Sequence, residues 1–206
     1  ASRNLEANAS GTLDNQGGAF KGADTHLTAA TLDNRQGRLL AGNQLTLSAA
    51  RLDNRSGHAV ANRLQVSGGA LDNRLGLFSA EQALDFTLDS LDNSGKGNLV
   101  SNGTLQARVQ QKLDNQADGL LSAKSALGVQ AGNLDNRGGL VVGDAGVTLS
   151  GASLNNGALG VISSLGELKL DVGQLDNSQG GALDSGAALY LTAGQVDNDK
   201  GSVSAK

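Results

Sequence analysis

The chain has no cysteine, proline, methionine or tryptophan, and only one tyrosine and three phenylalanines among 206 residues. Each absence excludes something. Without cysteine there is no disulfide and no thiolate metal site, a composition that fits reducing and oxidising compartments alike. Aromatics at 2% and 30 glycines leave few bulky residues for a globular interior, so any core must be thin and built from small and mid-sized aliphatics. No stretch approaches the roughly 18 apolar residues that span a bilayer, and the first residues lack the charged-then-apolar pattern of a signal peptide. Twenty acids against sixteen bases, a formal charge of −4, are spread along the chain. There is no basic tract to neutralise a phosphate backbone and no aromatic platform for bases, which argues against nucleic acid as a partner.

What the chain does contain is a repeat. The tripeptide Leu52-Asp53-Asn54 returns with its first residue at Leu13, Leu32, Leu71, Leu91, Leu113, Leu134, Leu154, Leu175 and Val196. The successive spacings are 19, 20, 19, 20, 22, 21, 20, 21 and 21 residues, a period that marks stacked repeats. Asparagine holds the third position throughout, whereas Asn155 replaces the acid once and Val196 replaces the leucine once. After each tripeptide comes a glycine and, two places on, an apolar residue, as in Gly37 with Leu39 and Gly76 with Phe78. An alternating segment follows, such as Leu45-Thr46-Leu47-Ser48-Ala49 or Leu168-Lys169-Leu170. Alternation with period two is the signature of a strand, and no window sustains helical spacing.

The irregular spacings show where the chain tolerates an extra residue. Units starting at Leu13 and Leu52 lose one between the two apolar columns, from Phe20 to Thr25 and from Ala59 to Leu64. Units starting at Leu91, Leu113, Leu154 and Leu175 gain one before the glycine, and the Leu91 unit gains another before the next tripeptide. A one-residue slip inside a strand would turn every side chain to the wrong face, so length changes are confined to corners. Three tolerant points predict three corners. The fold expected is all-β: a right-handed parallel β-helix with three short strands per coil and about ten coils, the hand being that of parallel connections generally. Residues 1–206 read as one β-helical segment with incomplete coils at both ends, the first spanning residues 1–12, and hence as part of a longer filament.

In that arrangement the leucine of each tripeptide points inward, and burying it contributes about 1.5–3 kcal/mol. The asparagine two residues on shares its side, so Asn15, Asn34, Asn54, Asn73, Asn93, Asn115, Asn136, Asn156, Asn177 and Asn198 are expected to form an internal amide ladder. The alternative is that each caps its own turn in a left-handed conformation. The aspartates form an outward column that accepts N–H groups of the turn, helped by Arg35, Arg55, Arg74 and Arg137. A row of calcium sites is the rival reading. It is disfavoured because each unit offers one regular carboxylate, where a calcium cage takes about six to eight oxygens.

No catalytic, cofactor-binding or metal-binding residue is assigned, and no cofactor or small-molecule substrate is expected. His26 and His58 fall about a period and a half apart, on different faces. Asp85 and Asp89 have no recurring partner base and no long loop to build a cleft. Threonines Thr46 and Thr148 share an outward column with Gln65, Asp85, Lys169 and Tyr190, which excludes the regular array that ice binding needs. Tyr190 is expected at the surface, and Phe20, Phe78 and Phe86 in the core.

A unit such as Leu32-Asp33-Asn34-Arg35-Gln36-Gly37-Arg38-Leu39-Leu40-Ala41, followed by Leu45-Thr46-Leu47-Ser48-Ala49, resembles the roughly 20-residue haemagglutinin repeat of filamentous haemagglutinins. Residues 13–206 share the likeness. It implies a shaft of a two-partner-secreted exoprotein of Gram-negative bacteria, a group of adhesins and contact-dependent growth inhibition toxins. Implied with it are an outer-membrane transporter as partner, a secreted or cell-surface location and a role in holding a distal adhesive or toxic region away from the cell. The family's amino-terminal secretion domain carries asparagine-proline motifs, which this proline-free chain lacks. Two rival functions remain: a strand face that itself engages a receptor or glycan, and a polysaccharide-degrading β-helix enzyme, the latter disfavoured by the missing loops.

Overall fold

In the computed structural model, which describes residues 3–206, the chain is a stack of about ten coils of parallel strand, with no helix among the described residues. Ala1 and Ser2, the first residues of the incomplete opening unit, lie outside the described residues. All eighteen strands belong to one sheet, and each pairs with the strands one period before and after it, except in the first and last coils, which pair on one side. Leu52 thus lies in register between Leu32 and Leu71, as the spacing requires.

Each coil has three sides, but two of them merge. The first side is a four-residue strand such as Arg38–Ala41 or Leu120–Ala123. The second and third sides run together as one longer strand, for example Thr25–Asp33 or Gln44–Asp53. In two coils all three sides are continuous, giving the strands His58–Asp72 and Leu77–Asp92. The corner within the long strand shows as a slip of phase. Thr25, Leu27 and Ala29 are buried two apart, whereas the next buried residue, Leu32, comes three later. Pairing runs from Ala29 with Ala49 to Thr31 with Arg51, stepping over one residue in each strand. The chain therefore bends there without giving up its ladder, as at a bulge. Crowding at the bend explains its small residues: a Cβ on Gly68, whose φ is 140°, would overlap the carbonyl of Ala49.

Length changes fall at the corners, as the spacing predicts. Units with the extra residue before the glycine turn on two left-handed residues, Gly95-Lys96, Ala117-Asp118, Ala158-Leu159 and Gln179-Gly180. Shorter units use one, such as Gln36, Ser56 or Leu75. The second insertion of the longest unit lies at the bend, where Leu88 pairs with Val109 but Leu91 with Leu113. The opening unit has the same shift between Ala9 and Thr12.

The core is a bundle of columns. Leu39, Ala59, Phe78 and Leu99 stack in one, with almost no exposure. Phe78 meets Phe86 edge to face at 5.4 Å, and both are buried, while Phe20 in the first coil is half-buried. Alanine flanks each large ring in the stack, Ala59 beside Phe78 and Ala107 beside Phe86, so the narrow interior keeps its volume. In the last coil Val196 is 52% exposed.

One core position breaks the pattern. Thr25 is in register with Leu45, and its hydroxyl is buried without a hydrogen-bond partner. Thr25→Val keeps the shape and removes the orphaned group, so it is expected to raise stability by about 1 kcal/mol, measured by chemical denaturation.

Candidate functional site

The most ordered polar constellation is the column of asparagines at the corner between the third and first sides. Asn34 to Asn177 have no exposed surface, and Asn15 almost none. Each side-chain Nδ2 donates to the Oδ1 of the asparagine in the next coil, from Asn15 to Asn34 at 2.7 Å through to Asn177 to Asn198 at 2.7 Å. The intervening links measure 2.6–2.8 Å. All point the same way along the stack. The remaining proton goes to backbone carbonyls: Asn93 Nδ2 also donates to Gly97 at 3.0 Å and Leu120 at 3.1 Å.

The left-handed capping alternative is excluded, since no asparagine of the column has positive φ. The left-handed residue stands immediately before the glycine. That glycine has a different duty. A Cβ on Gly37 would overlap the Asn15 carbonyl and crowd the Asn34 Oδ1, and the same holds at Gly57, Gly76 and Gly181. Close approach of the ladder, not backbone conformation, fixes glycine there.

Outside the ladder, each aspartate accepts the N–H of the residue two places on, as from Arg35 to Asp33 at 3.0 Å and Ser178 to Asp176 at 2.9 Å. Asn155 does the same for Gly157 at 3.0 Å, which explains why its amide substitutes without loss. Arginine adds a second bond where present: Arg74 Nη2 donates to Asp72 at 2.6 Å and its Nε stands 3.4 Å from Asp92 in the next coil. Arg35 and Arg55 bridge neighbouring aspartates in the same manner, at 3.8 and 3.5 Å. One further member that no recurring spacing marks is Lys112, just past the lengthened bend and in register with Asn133, which reaches both Asp114 at 2.7 Å and Asp135 at 3.5 Å.

These contacts set the acidities. The hydrogen bond from the Arg35 side chain holds Asp33 below the ordinary 3.8, against the cost of its partial burial. For Asp72 and Asp135 burial is the largest influence and opposes ionisation, yet side-chain and backbone hydrogen bonds from Arg74 and Arg137, with nearby positive charge, outweigh it and lower both. The carboxylates are thus committed to turns and ion pairs. Among the described residues no group of three or more histidines, aspartates and glutamates is arranged to hold a metal ion.

The other singled-out residues do not converge. His26 is exposed on the second side beside Thr28 Oγ1 at 3.2 Å, and His58 is exposed on the first side between Arg38 and Leu77. Asp85 stands in register between Gln65 and Gln106, and Asp89 at the bend. Tyr190 is 54% exposed, with Lys169 Nζ 5.5 Å from its ring centre. A concavity of about 1040 Å³ runs along the outside of the bend over several coils. Its floor includes Leu88, Val109 and Val172, and Arg108, Gln130 and Asp171 form its rim.

A family model described as the haemagglutinin repeat matches residues 1–73, 44–117, 106–170 and 152–206, together the whole chain. No curated protein and no solved structure matches it.

Asn73→Leu leaves the Asn54 donor and the Asn93 acceptor without their partner, and is expected to cost about 1–3 kcal/mol, whereas Gln65→Lys on the outer face should change stability by less than about 0.5 kcal/mol. Denaturant titration of both variants checks the pair. For Asp33, Asp72 and Asp135 the folded values lie below the unfolded ones. Their contribution is therefore complete well above the unfolded value and is lost as pH falls through the folded values. Arg74→Gln should reduce the stability difference between about pH 6 and pH 3, read from denaturation midpoints across that range.

Proposed function

The chain belongs to the haemagglutinin repeat family, and from that premise we propose that it is a segment of the shaft of a secreted, surface-displayed bacterial exoprotein. The observation that carries this reading is the unbroken register of the stack. Nine amide links join ten coils, a rod about 43 Å long at one strand spacing per coil. Such a rod supplies reach and stiffness without chemistry of its own. Residues 1–206 act as one continuous element of a longer filament exported through a two-partner outer-membrane transporter of a Gram-negative cell. Its work is to hold a distal adhesive or toxic region at a distance, and no residue of it is catalytic.

A second reading, in which the segment binds a receptor or glycan directly, draws support from the long groove at the bend, whose apolar floor and polar rim suit an extended ligand.

Removing residues 71–90 from the parent protein deletes one whole coil and joins Ala70 to Leu91 with every column intact. Surface display and cell attachment are expected to survive this deletion and to fail when about ten residues, half a coil, are removed instead. Loss of attachment from outward substitutions in the groove, such as Arg108→Ala with Gln130→Ala, while surface display stays normal, would replace the shaft reading by the binding one.

A further inference from the structure

The first side of the rod differs from the other two in what it shows to solvent. Its outward residues form two columns, one containing Leu77, Leu120, Leu140 and Val161, the other Val60, Val100 and Val142. All are partly or openly exposed, Leu140 to 38%. No charged residue occurs in the strand segments Leu77–Ala80, Asn98–Ser101, Leu120–Ala123, Leu140–Gly143 or Val161–Ser164. Charge returns only toward the ends. Lys21 and Arg38 stand in the first two coils, with His58 in the third, and Asp184 stands in the ninth.

We propose that this face docks a second copy of the chain, with the two rods antiparallel and the strands of the facing coils aligned. Three features on the face agree on that geometry. When the third coil of one copy meets the eighth of the other, Arg38 and Lys21 flank the partner's Asp184 at each end. The second column alternates in size, so Val60 faces Ser163, Val142 faces Ser79 and Val100 faces Ser122. Large residues therefore meet small ones, as facing sheets about 10 Å apart require. At the centre Leu77 faces Leu140. A parallel arrangement would reverse the facing strands and set the first column of each coil on the second, Arg38 on Leu40, Val60 on His58 and Leu77 on Ser79, with Asp184 seven coils from Arg38. The other sides offer no equivalent: the third carries the aspartate and arginine ladder, and the second a mixed polar column from His26 through Asp85 to Tyr190. A patch two columns wide covers roughly 500 Å² per copy, at the small end for a specific interface, which fits a weak, reversible association.

Sedimentation equilibrium of the chain from about 10 µM to 1 mM tests this, with the expectation of a monomer–dimer equilibrium. Asp184→Lys should weaken the dimer about tenfold, and adding Lys21→Asp and Arg38→Asp to the same chain should restore it to within about threefold, because the antiparallel arrangement places these groups beside one another. Leu140→Lys, or the milder Leu140→Ser, should abolish dimerisation while circular dichroism and melting stay unchanged. A chain that remains monomeric at about 1 mM overturns the proposal, whatever lipid vesicle or other protein the face is then found to bind. A dimer indifferent to Leu140→Lys and Leu140→Ser overturns it too, as does a charge swap that fails to restore association.

Discussion

A buried primary amide can donate to one neighbour and accept from another at once, and that double capacity governs the structure. Between the ends of the column, Asn15 and Asn198, each amide is the acceptor for the coil before it and the donor to the coil after it. Aspartate would lack the donor, and glutamine would carry its amide one carbon further. Amide ladders of either length fit one strand spacing, but the shorter arm also keeps its second proton on the carbonyls of the corner, as from Asn93 to Gly97 and Leu120. The aspartate beside it needs only an acceptor, so Asn155 can take that place. Two adjacent positions thus differ in strictness because one side chain performs two tasks and its neighbour one. Aligned amides also polarise each other, so a link within the series is stronger than an isolated pair would be.

From that constraint the rest of the corner follows. The ladder must lie against the start of the next strand, which leaves no room for a side chain at Gly37, Gly57 or Gly76. The turn between asparagine and glycine projects away from the stack and is nearly free in composition. It accommodates Gln36, Ser56, Leu75 and Lys200 in left-handed backbone, at a cost of about 1 kcal/mol each that the closed coil tolerates. The interior then needs only enough volume to keep three short sides apart. Leucine, valine and alanine do this, and the Phe78–Phe86 contact is the largest filler it holds.

The parts of this arrangement that repeat were legible in the sequence, because a column is a statement about residues one period apart. The inward leucines, the asparagine ladder, the turn-capping aspartates and the corners all left marks at fixed spacing. What was not legible involves relations that spacing does not encode. The merging of second and third sides depends on whether the chain bends with its hydrogen bonds intact, and Ala29 to Leu32 reads the same either way. Lys112 stands in the ordinary outward position before the motif leucine, in register with Asn133, but other coils fill that place with Thr31, Arg51, Ala70 or Ser90, so no recurring spacing marks it as a partner of Asp114 and Asp135. The doublets Leu39-Leu40, Leu120-Leu121, Val141-Val142 and Val161-Ile162 each place one apolar residue inside and one outside. Alternation assigns the inner one and is silent about the second.

Periodicity also separates length from chemistry. Each coil makes its hydrogen bonds and core contacts with the coil on either side, so its contribution to stability is local and nearly the same wherever it stands in the stack. A globular domain cannot lose twenty residues without exposing a core built from distant parts of the chain, whereas here the coils on either side of the cut carry the same columns and close on each other. Reach can therefore change by about 4.8 Å per coil while the outer faces keep their spacing. Any partner that reads one side of the rod meets a pattern repeated at that interval. Its affinity then depends on how many coils it spans, not on a single pocket.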